Sequence, residues 1–324
     1  MFQYDYLKNL INDKINQINF DKSPYELYQP IKYILSIGGK RLRPVLTLMA
    51  CNIFSDDINN AVNPAIGLEV FHNFTLIHDD IMDNAPIRRN MPSVHEKWNL
   101  NTAVLSGDAM MIFAYNFFFD LPDNYFKSVI KVFNKTALEV CEGQQFDMNF
   151  EEKLNISEDQ YMEMIRLKTS VLISTALKIG GIIGGANDTN LDLLYNTGKY
   201  AGLAFQLQDD LLDSYGKVEE FGKSIGNDIV TNKKTYLLIK TIELANSKDK
   251  DTIFNWLNKK EFDKNEKITT FLSFYNKYNI YEHTINKINE LNNFALESLT
   301  KIKVNESRKL ELEKLIKKLI KRKY

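Results

Sequence analysis

Apolar residues recur at helical spacing along nearly the whole chain, and each periodic stretch ends at a short cluster of turn residues. The first 20 residues predict an amphipathic helix whose inward side chains are Tyr6, Leu10, Ile11 and Ile18. Further helices are predicted over 24–36, 44–54, 64–83, 101–119, 123–150, 157–186 and 191–213. The same periodicity continues to the last residue. The pattern therefore predicts an all-α fold.

Turn residues predict where some of these helices start and how they pack. Ser23 is expected to be the N-cap of the second helix, with Pro24 at its first position. Pro64 is expected to start the helix that carries the first acid motif. Gly180 and Gly184 lie in a glycine-rich stretch that lacks the G-x-G-x-x-G spacing of a dinucleotide loop, so close helix packing is the better interpretation.

No linker, low-complexity run or repeat divides the 324 residues, and their 44% hydrophobic content is enough for one large core. We therefore predict a single α-helical domain over residues 1–324. The net charge of −1 gives no electrostatic reason to expect a nucleic-acid partner. Cys51 and Cys141 lie in apolar helical stretches and are expected to be buried free thiols of a reducing compartment.

The termini and the most apolar stretch bear on membrane association. The N-terminus lacks the hydrophobic region of a signal peptide, and Ala109–Phe119 is shorter than the ~18 residues of a spanning helix. We expect a cytoplasmic protein without stable membrane insertion. From Arg308 onwards the tail has eight basic and two acidic residues. An amphipathic closing helix with Leu312, Leu315 and Leu319 explains it, and contact with a membrane surface is the weaker alternative.

Two acid motifs carry the strongest chemical signal. Asp79 and Asp83 are four residues apart, which places both on one helix face about 6 Å apart along the axis. Such like charges repel unless a cation lies between them, and hard carboxylate oxygens favour Mg²⁺ or Ca²⁺. The pattern returns 130 residues later in Asp209–Asp213. One motif could be a solvated helix end, but two on apolar helices favour metal ions.

Cationic residues accompany both motifs. Lys40 and Arg43 lie at a predicted helix start after two glycines, where free backbone N–H groups favour anions. Arg88 and Arg89 follow the first motif and supply forked donors suited to phosphate oxygens. Alone, a basic helix start is more often a solvated corner, and the alternative for the two arginines is an ordinary salt bridge to Asp83. Further cations near the motifs are Lys168, Lys223 and Lys233.

Acids and cations together predict a diphosphate ligand bridged by Mg²⁺. The four histidines have no acidic, Ser or Cys partner at suggestive spacing, so the site is expected to stabilise a leaving group rather than to attack. The residues before the first motif, among them Phe71, Phe74 and Thr75, predict an adjoining apolar slot. A ligand with a diphosphate head and a hydrocarbon tail satisfies both parts.

Six motifs occur in the order and spacing of the all-trans polyprenyl diphosphate synthases, and nearly the whole chain resembles that family, short-chain type. They are GGKRLRP (38–44), DDIMD (79–83), RR (88–89), KT (168–169), FQLQDDLLD (205–213) and GKSIGND…KKT (222–235). The resemblance implies an isoprenoid synthase fold of about ten core helices around a central cavity, usually as a homodimer. It also implies head-to-tail condensation of isopentenyl diphosphate with an allylic diphosphate.

The resemblance also implies roles for individual residues. Asp79, Asp83 and Asp209 would ligate about three Mg²⁺ ions on the allylic diphosphate, and Asp80 and Asp213 would hold metal-bound water. The positions matching the isopentenyl diphosphate site are Lys40, Arg43, His72 and Arg89. The positions matching contacts to the allylic diphosphate are Arg88, Lys168, Lys223 and Lys233. Beside the developing allylic cation, where oxygen dipoles stabilise positive charge, would lie Thr169 and Gln206.

Product length is expected to depend on Phe71, Phe74 and Thr75. In the resembled family, bulk at the fifth residue before the first motif shortens the product, and Phe74 occupies that position. Phe74 followed by the smaller Thr75 resembles the geranylgeranyl pattern, with farnesyl diphosphate as the alternative. Equally, both phenylalanines could be ordinary core residues.

Two rival functions share parts of this pattern. A non-catalytic synthase subunit usually loses an acid motif, and both motifs are intact here. A terpene cyclase or head-to-head synthase does not need the second diphosphate site that Lys40 and Arg43 suggest. A calcium loop is excluded because the D-x-[DN]-x-[DN]-G spacing is missing. One departure from the family is Tyr236-Leu237 in place of a frequent Leu-Pro pair, which is expected to alter only the start of the next helix.

Overall fold

The computed structural model describes residues 1–153, 155–216 and 226–320, and nearly all of its regular structure is helical, which confirms the all-α prediction. The helices of the first half are α1 (Tyr4–Asn16), α2 (Tyr25–Ser36), α3 (Leu42–Phe54), α4 (Asn59–Met82), α5 (Val94–Lys97), α6 (Leu100–Asn116) and α7 (Asp123–Glu151). Those that follow are α8 (Glu158–Ile165), a π-helix (Arg166–Ser170), α9 (Val171–Gly184), α10 (Asp188–Tyr215), α11 (Asn227–Val230), α12 (Tyr236–Leu244), α13 (Ser247–Asn258), α14 (Lys264–Lys277), α15 (Ile280–Thr300), a 3₁₀ turn (Glu306–Arg308) and α16 (Leu310–Ile320). A short hairpin pairs β1 (Ile87–Arg88) with β2 (Met91–Pro92) in antiparallel register.

The chain forms two compact units. The first comprises Met1–Asn134, Thr175–Tyr195 and Ile302–Glu313. The second comprises the described residues within Lys135–Ser174, Asn196–Lys301 and 314–320. The first acid motif and its neighbouring arginines belong to the first unit, and the second acid motif belongs to the second unit.

In the first unit, α4 packs against α3 and α6, and most of its side chains are buried. The glycines of α9 show the predicted close helix packing. A Cβ on Gly180 would lie 2.1 Å from the Thr47 carbonyl oxygen, and one on Gly184 would lie 2.7 Å from that of Cys51. No larger residue fits there without separating α9 from α3.

The second unit contains an irregularity that the sequence pattern did not predict. The predicted helix over 157–186 is interrupted by the π-helix at Arg166–Ser170. There α7 comes so close that a Cβ on Gly143 would lie 2.3 Å from the Lys168 backbone nitrogen. A π-turn contains one residue more than an α-turn and often marks a functional position.

Two predicted helix starts are wrong. Helix α2 begins at Tyr25 with Pro24 as its extended N-cap, so Ser23 does not cap it. Helix α4 begins at Asn59, which places Pro64 inside the helix and buried. The reason is that Ala61 and Val62 already face the core, so burial extends the helix one turn before the proline.

Some side chains also face differently from the prediction. In α1 the buried residues are Leu7, Ile11 and Ile15, and Tyr6 is exposed. Cys51 is buried as predicted, but Cys141 is exposed, because that stripe of α7 remains uncovered. In the closing helix α16, Leu312, Leu315 and Leu319 are buried as predicted.

One stretch satisfies the length and composition of a membrane span. It is Glu158–Gly184, not the Ala109–Phe119 stretch that we expected to be the most apolar, and 72% of its apolar window is buried inside the protein. Burial of this kind is typical of a core helix as well.

Candidate active site

The first acid motif occupies the last turn of α4. Asp83 is the C-cap, and its backbone N–H donates to the Asp79 carbonyl 2.9 Å away, so the two side chains emerge one turn apart. Asp80 is 0% exposed and accepts from Arg88 Nε at 2.9 and 3.1 Å. Arg88 Nη2 also donates to Asp79 Oδ2 at 3.3 Å. The guanidinium that follows the motif therefore neutralises its buried middle carboxylate.

The electrostatics of this pair combine burial with attraction. Burial raises the pKa of Asp80, and the Arg88 guanidinium opposes that rise. Burial also acts to lower the pKa of Arg88, but its hydrogen bonds to Asp80 and the negative charges of Asp80, Asp79 and Asp83 together raise it. The ion pair keeps Asp80 away from solvent, which agrees with an indirect role for this residue.

Three of the predicted isopentenyl diphosphate residues, Arg43, His72 and Arg89, lie close together in the first unit, and Lys40 belongs to the adjoining turn; we call these four residues the basic corner. Arg43 Nη1 lies 3.0 Å from His72 Nε2. Arg89 Nη1 donates to the carbonyl of Gly38. A Cβ on Gly39 would lie 2.8 Å from the Arg89 guanidinium carbon, so the glycine lets the arginine lie against this turn. Residues from the α3 start, α4 and the hairpin therefore form one cationic cluster.

Positive charges in the basic corner repel one another. The pKa of Arg43 is lowered to about 10, mainly by burial, which Glu69 opposes and to which the positive charge of Arg89 adds. Burial, followed by the positive charge of Arg43 and Arg89, lowers the pKa of His72 well below its ordinary value, so this imidazole is neutral. Among the described residues, buried Arg43 Nε finds no hydrogen-bond partner. Crowded cations with an unused donor are suited to bind an anion.

The second acid motif lies on α10. Asp210 is 3% exposed and accepts from the Tyr161 hydroxyl, from Gln206 Nε2 at 3.1 Å and from the Tyr236 backbone N–H at 3.4 Å. Burial, together with the nearby Asp228 carboxylate, raises the pKa of Asp210 to about 7. The middle carboxylate of this motif is therefore held mainly by uncharged donors.

The segment that follows the second motif is tied to Asp213. Its Oδ2 accepts from the Asp228 backbone N–H at 3.0 Å, and its carbonyl accepts from that of Gly226 at 2.7 Å. The Lys233 N–H donates to the Asp228 carbonyl at 2.9 Å, and the positive charge of Lys233 acts to lower the pKa of Asp210. Lys233 thus lies near the motif as predicted, whereas Lys223 lies outside the described residues.

The π-helix presents Lys168 and Thr169. Thr169 Oγ1 donates to Gln206 Oε1 at 2.9 Å, which joins the two predicted cation-stabilising residues. Lys168 Nζ lies 2.7 Å from Asp147 Oδ2 on α7. The sequence interpretation missed Asp147, because 21 residues separate it from Lys168 and only the packing of α7 against the π-helix brings them together.

The aromatic residues before the first motif are buried in the first unit. The ring centroids of Phe71 and Phe74 are 5.4 Å apart, and Phe133 lies 5.2 Å from Phe71. The half-buried Thr75 donates its hydroxyl to the His72 carbonyl at 2.8 Å. Below the acidic end, the aromatic side chains of α4 therefore form an apolar wall, with Phe71 and Phe74 buried.

The donor sets suit Mg²⁺, which usually takes one or two carboxylates and completes its shell with water and substrate phosphate oxygens. The motif aspartates supply such carboxylates, and cationic side chains stand beside each motif. Within the part of the chain that the structure describes, no group of three or more His, Cys, Asp or Glu side chains forms a complete metal cage. A site completed by substrate oxygens agrees with both observations.

An all-α fold with two acid motifs and a basic corner defines the class of the short-chain all-trans prenyl diphosphate synthases. The family model for polyprenyl synthetase matches residues 24–274. A geranylgeranyl pyrophosphate synthase of Geoglobus acetivorans is 40% identical over 237 residues, which are 72% of this chain and 74% of that protein. A geranylgeranyl diphosphate synthase of Sulfolobus acidocaldarius is 33% identical over 307 residues, 92% of each chain.

A solved geranylgeranyl pyrophosphate synthase structure matches all of both chains with a TM-score of 0.95 and 41% identity. This similarity covers the whole isoprenoid synthase fold. The chain therefore belongs to the polyprenyl synthetase family and is a prenyltransferase.

Proposed function

We propose that this prenyltransferase condenses isopentenyl diphosphate with allylic diphosphates in a Mg²⁺-dependent reaction and releases geranylgeranyl diphosphate. The observation that carries the proposal is the basic corner, where Arg43 Nε is buried with no hydrogen-bond partner among the described residues. An anion-binding cluster distinct from the acid motif is what a second diphosphate substrate requires. A terpene cyclase has no use for it.

For the allylic substrate, we propose that Asp79, Asp83 and Asp209 ligate about three Mg²⁺ ions and that Asp80 and Asp213 orient metal-bound water. When bound, the metal supplies charge neutralisation to the departing diphosphate. Cationic side chains share that task, and the candidates are Arg88, Lys168, Lys223 and Lys233. We further propose that residues 1–324 act as one catalytic domain.

Ionisation leaves an allylic cation. We propose that the hydroxyl and amide oxygens of Thr169 and Gln206 stabilise its charge, since fixed dipoles do so without reorganisation in a site that excludes water. The basic corner holds isopentenyl diphosphate so that its double bond attacks the cation. The new C–C bond leaves a tertiary cation, which loses a proton to the released diphosphate and forms the product double bond.

Product identity is tested directly. The purified protein is incubated with Mg²⁺, isopentenyl diphosphate and dimethylallyl, geranyl or farnesyl diphosphate, and the dephosphorylated alcohols are sized. We expect consumption of isopentenyl diphosphate and a C20 alcohol with each primer. A protein that consumes no isopentenyl diphosphate, or that cyclises the allylic substrate alone, contradicts the proposal.

Phe74 is proposed to limit the length of the product. The Phe74→Ala variant should shift the product from C20 towards longer alcohols, because removing the ring opens the apolar wall beneath the first motif. Phe271→Ala is the matched control, since it removes a buried ring from α14 in the second unit. An unchanged product distribution in Phe74→Ala, at retained activity, would reduce Phe74 to a core residue.

Assembly as a homodimer is proposed from the surface of α6. Leu105 and Ile112 are seven residues apart on one face of α6 and are 60% and 72% exposed. Exposed apolar surface that is contiguous often marks a protein–protein interface. A second copy of the chain is the occupant that we propose, in a cytoplasmic enzyme without stable membrane insertion. Ile112→Lys should convert the dimer to a monomer in light scattering, and an unchanged mass would place the interface elsewhere.

A further inference from the structure

A buried ion pair lies beside the basic corner. Arg41 follows Lys40 in the chain, and its Nη1 donates to Glu69 Oε1 on α4 at 2.8 Å. Arg41 is 4% and Glu69 2% exposed, so neither group can reach a substrate in solvent. The pair therefore has no part in the proposed chemistry itself.

The same guanidinium joins two further helices. Arg41 Nε donates to Asn12 Oδ1 of α1 at 3.0 Å, and Nη2 donates to the Leu35 carbonyl in the last turn of α2 at 2.5 Å. On α4, Glu69 Oε1 also accepts from Asn73 Nδ2 at 3.2 Å. One side chain thus connects α1, α2 and α4 at the start of α3.

Arg41 also holds an unusual backbone conformation. It is the N-cap of α3 with φ 49° and ψ 37°, the left-handed region, which costs an ordinary residue about 1–2 kcal/mol. This conformation turns the chain between Lys40 and Arg43, the two predicted diphosphate contacts of the motif. The Tyr4 hydroxyl of α1 donates to the Lys40 carbonyl on the other side of the turn.

We propose that Arg41 and Glu69 are positioning residues, which hold the turn that aims Lys40 and Arg43 at the diphosphate of isopentenyl diphosphate. The inference rests on the proposed function. It also includes α1 in this site, although α1 lies outside the matched residues 24–274. A buried ion pair adds little net stability compared with apolar side chains of similar volume, so stability alone does not account for it.

The test replaces the pair by apolar groups of similar volume, in the double variant Arg41→Met with Glu69→Leu. We expect its thermal midpoint to stay near that of the parent protein. The KM for isopentenyl diphosphate should rise about tenfold or more, while kcat and the KM for the allylic diphosphate change less than about twofold. Asn12→Ala should give a smaller rise of the same kind, because only one of three hydrogen-bonded partners is lost.

The control is Lys309→Met, which removes another buried cation of the first unit, bonded to the Ile302 carbonyl and to Glu306. It should lower the thermal midpoint and leave both KM values unchanged. The proposal is overturned if the double variant keeps the parent KM for isopentenyl diphosphate, or if both KM values and kcat change together. A parent protein that consumes no isopentenyl diphosphate would instead refute the proposed function.

Discussion

The two acid motifs have the same spacing, yet their middle carboxylates are held in opposite ways. Asp80 in the first motif is paired with the fixed positive charge of Arg88. Asp210 in the second is held by a phenol, an amide and a backbone N–H. The first carboxylate is neutralised by an ion pair, whereas the second has a pKa of about 7 because of its burial.

This difference shows that a motif's sequence does not determine its charge. The first motif has a guanidinium as part of its structure, so its local charge is set before any ligand binds. In the second motif, the hydrogen bonds from Tyr161 and Gln206 and then the positive charge of Lys233 oppose the rise in the pKa of Asp210. The first motif therefore has a permanent guanidinium partner, whereas the middle carboxylate of the second is held mainly by uncharged donors.

The largest effect is expected for the first carboxylate of each motif, Asp79 and Asp209, which we propose to be metal ligands in both motifs. Asp79→Ala and Asp209→Ala should each reduce kcat by about 10³-fold or more, because each removes a proposed ligand of the metal. Circular dichroism should show an intact helical fold in both. Asp192→Ala, which removes an exposed acid from α10, is the control and should retain activity. Normal turnover in either motif variant would refute its metal assignment.

The middle carboxylates should differ in their effect on stability. Asp80→Asn leaves the half-buried Arg88 without its main partner and should lower the free energy of unfolding by about 2 kcal/mol. Asp210→Asn keeps one oxygen for the Tyr161 hydroxyl and the Tyr236 N–H, which share Oδ2, and loses only the acceptor of Gln206 Nε2, so it should lower the free energy of unfolding by less than about 1 kcal/mol. Urea unfolding of the metal-free proteins measures both. Equal losses would mean that the two environments are equivalent.

At neutral pH the smallest effect concerns the neutral imidazole in the basic corner, because its contribution to stability changes only in acid. The folded protein keeps His72 neutral, while the unfolded chain binds a proton below about pH 6.5. Stability is therefore lost as the pH falls below 6.5, by up to about 1.4 kcal/mol per pH unit. His72→Gln should lack this component in unfolding curves from pH 7 to 5. Inorganic diphosphate should make the free energy of unfolding of the parent protein less dependent on pH, because a bound anion favours the protonated imidazole. The same pH dependence in the parent protein and in His72→Gln would contradict a buried neutral His72.

Helical periodicity predicted the fold class, and motif spacing supplied the candidate residues. The prediction of a helix over 123–150 is within one residue of α7, because its apolar stripe is long and regular. The exposure of Cys141 was missed, since an apolar stripe has the same pattern whether the core or another surface covers it. The start of α4 was misplaced because proline is tolerated inside a helix whose burial extends past it.

The arrangement of the site was less accessible from the sequence. The salt bridge between Lys168 and Asp147 depends on the close approach permitted by Gly143, and nothing in the local pattern indicates a π-helix. The Arg41–Glu69 pair likewise joins residues 28 apart in sequence through packing of three helices. Charges paired over such separations follow from tertiary structure, which a one-dimensional pattern does not contain.

The π-helix makes the number of residues in this segment a constraint on the enzyme. Deleting one residue from Arg166–Ser170 would convert the wide turn into an ordinary α-turn, which keeps the flanking helices in register but moves the side chains of the segment itself, Lys168 and Thr169 among them. A redesigned protein that keeps every functional side chain but has one residue fewer in this segment would point Lys168 in a different direction. In this stretch, an insertion or deletion is therefore expected to be more damaging than a substitution.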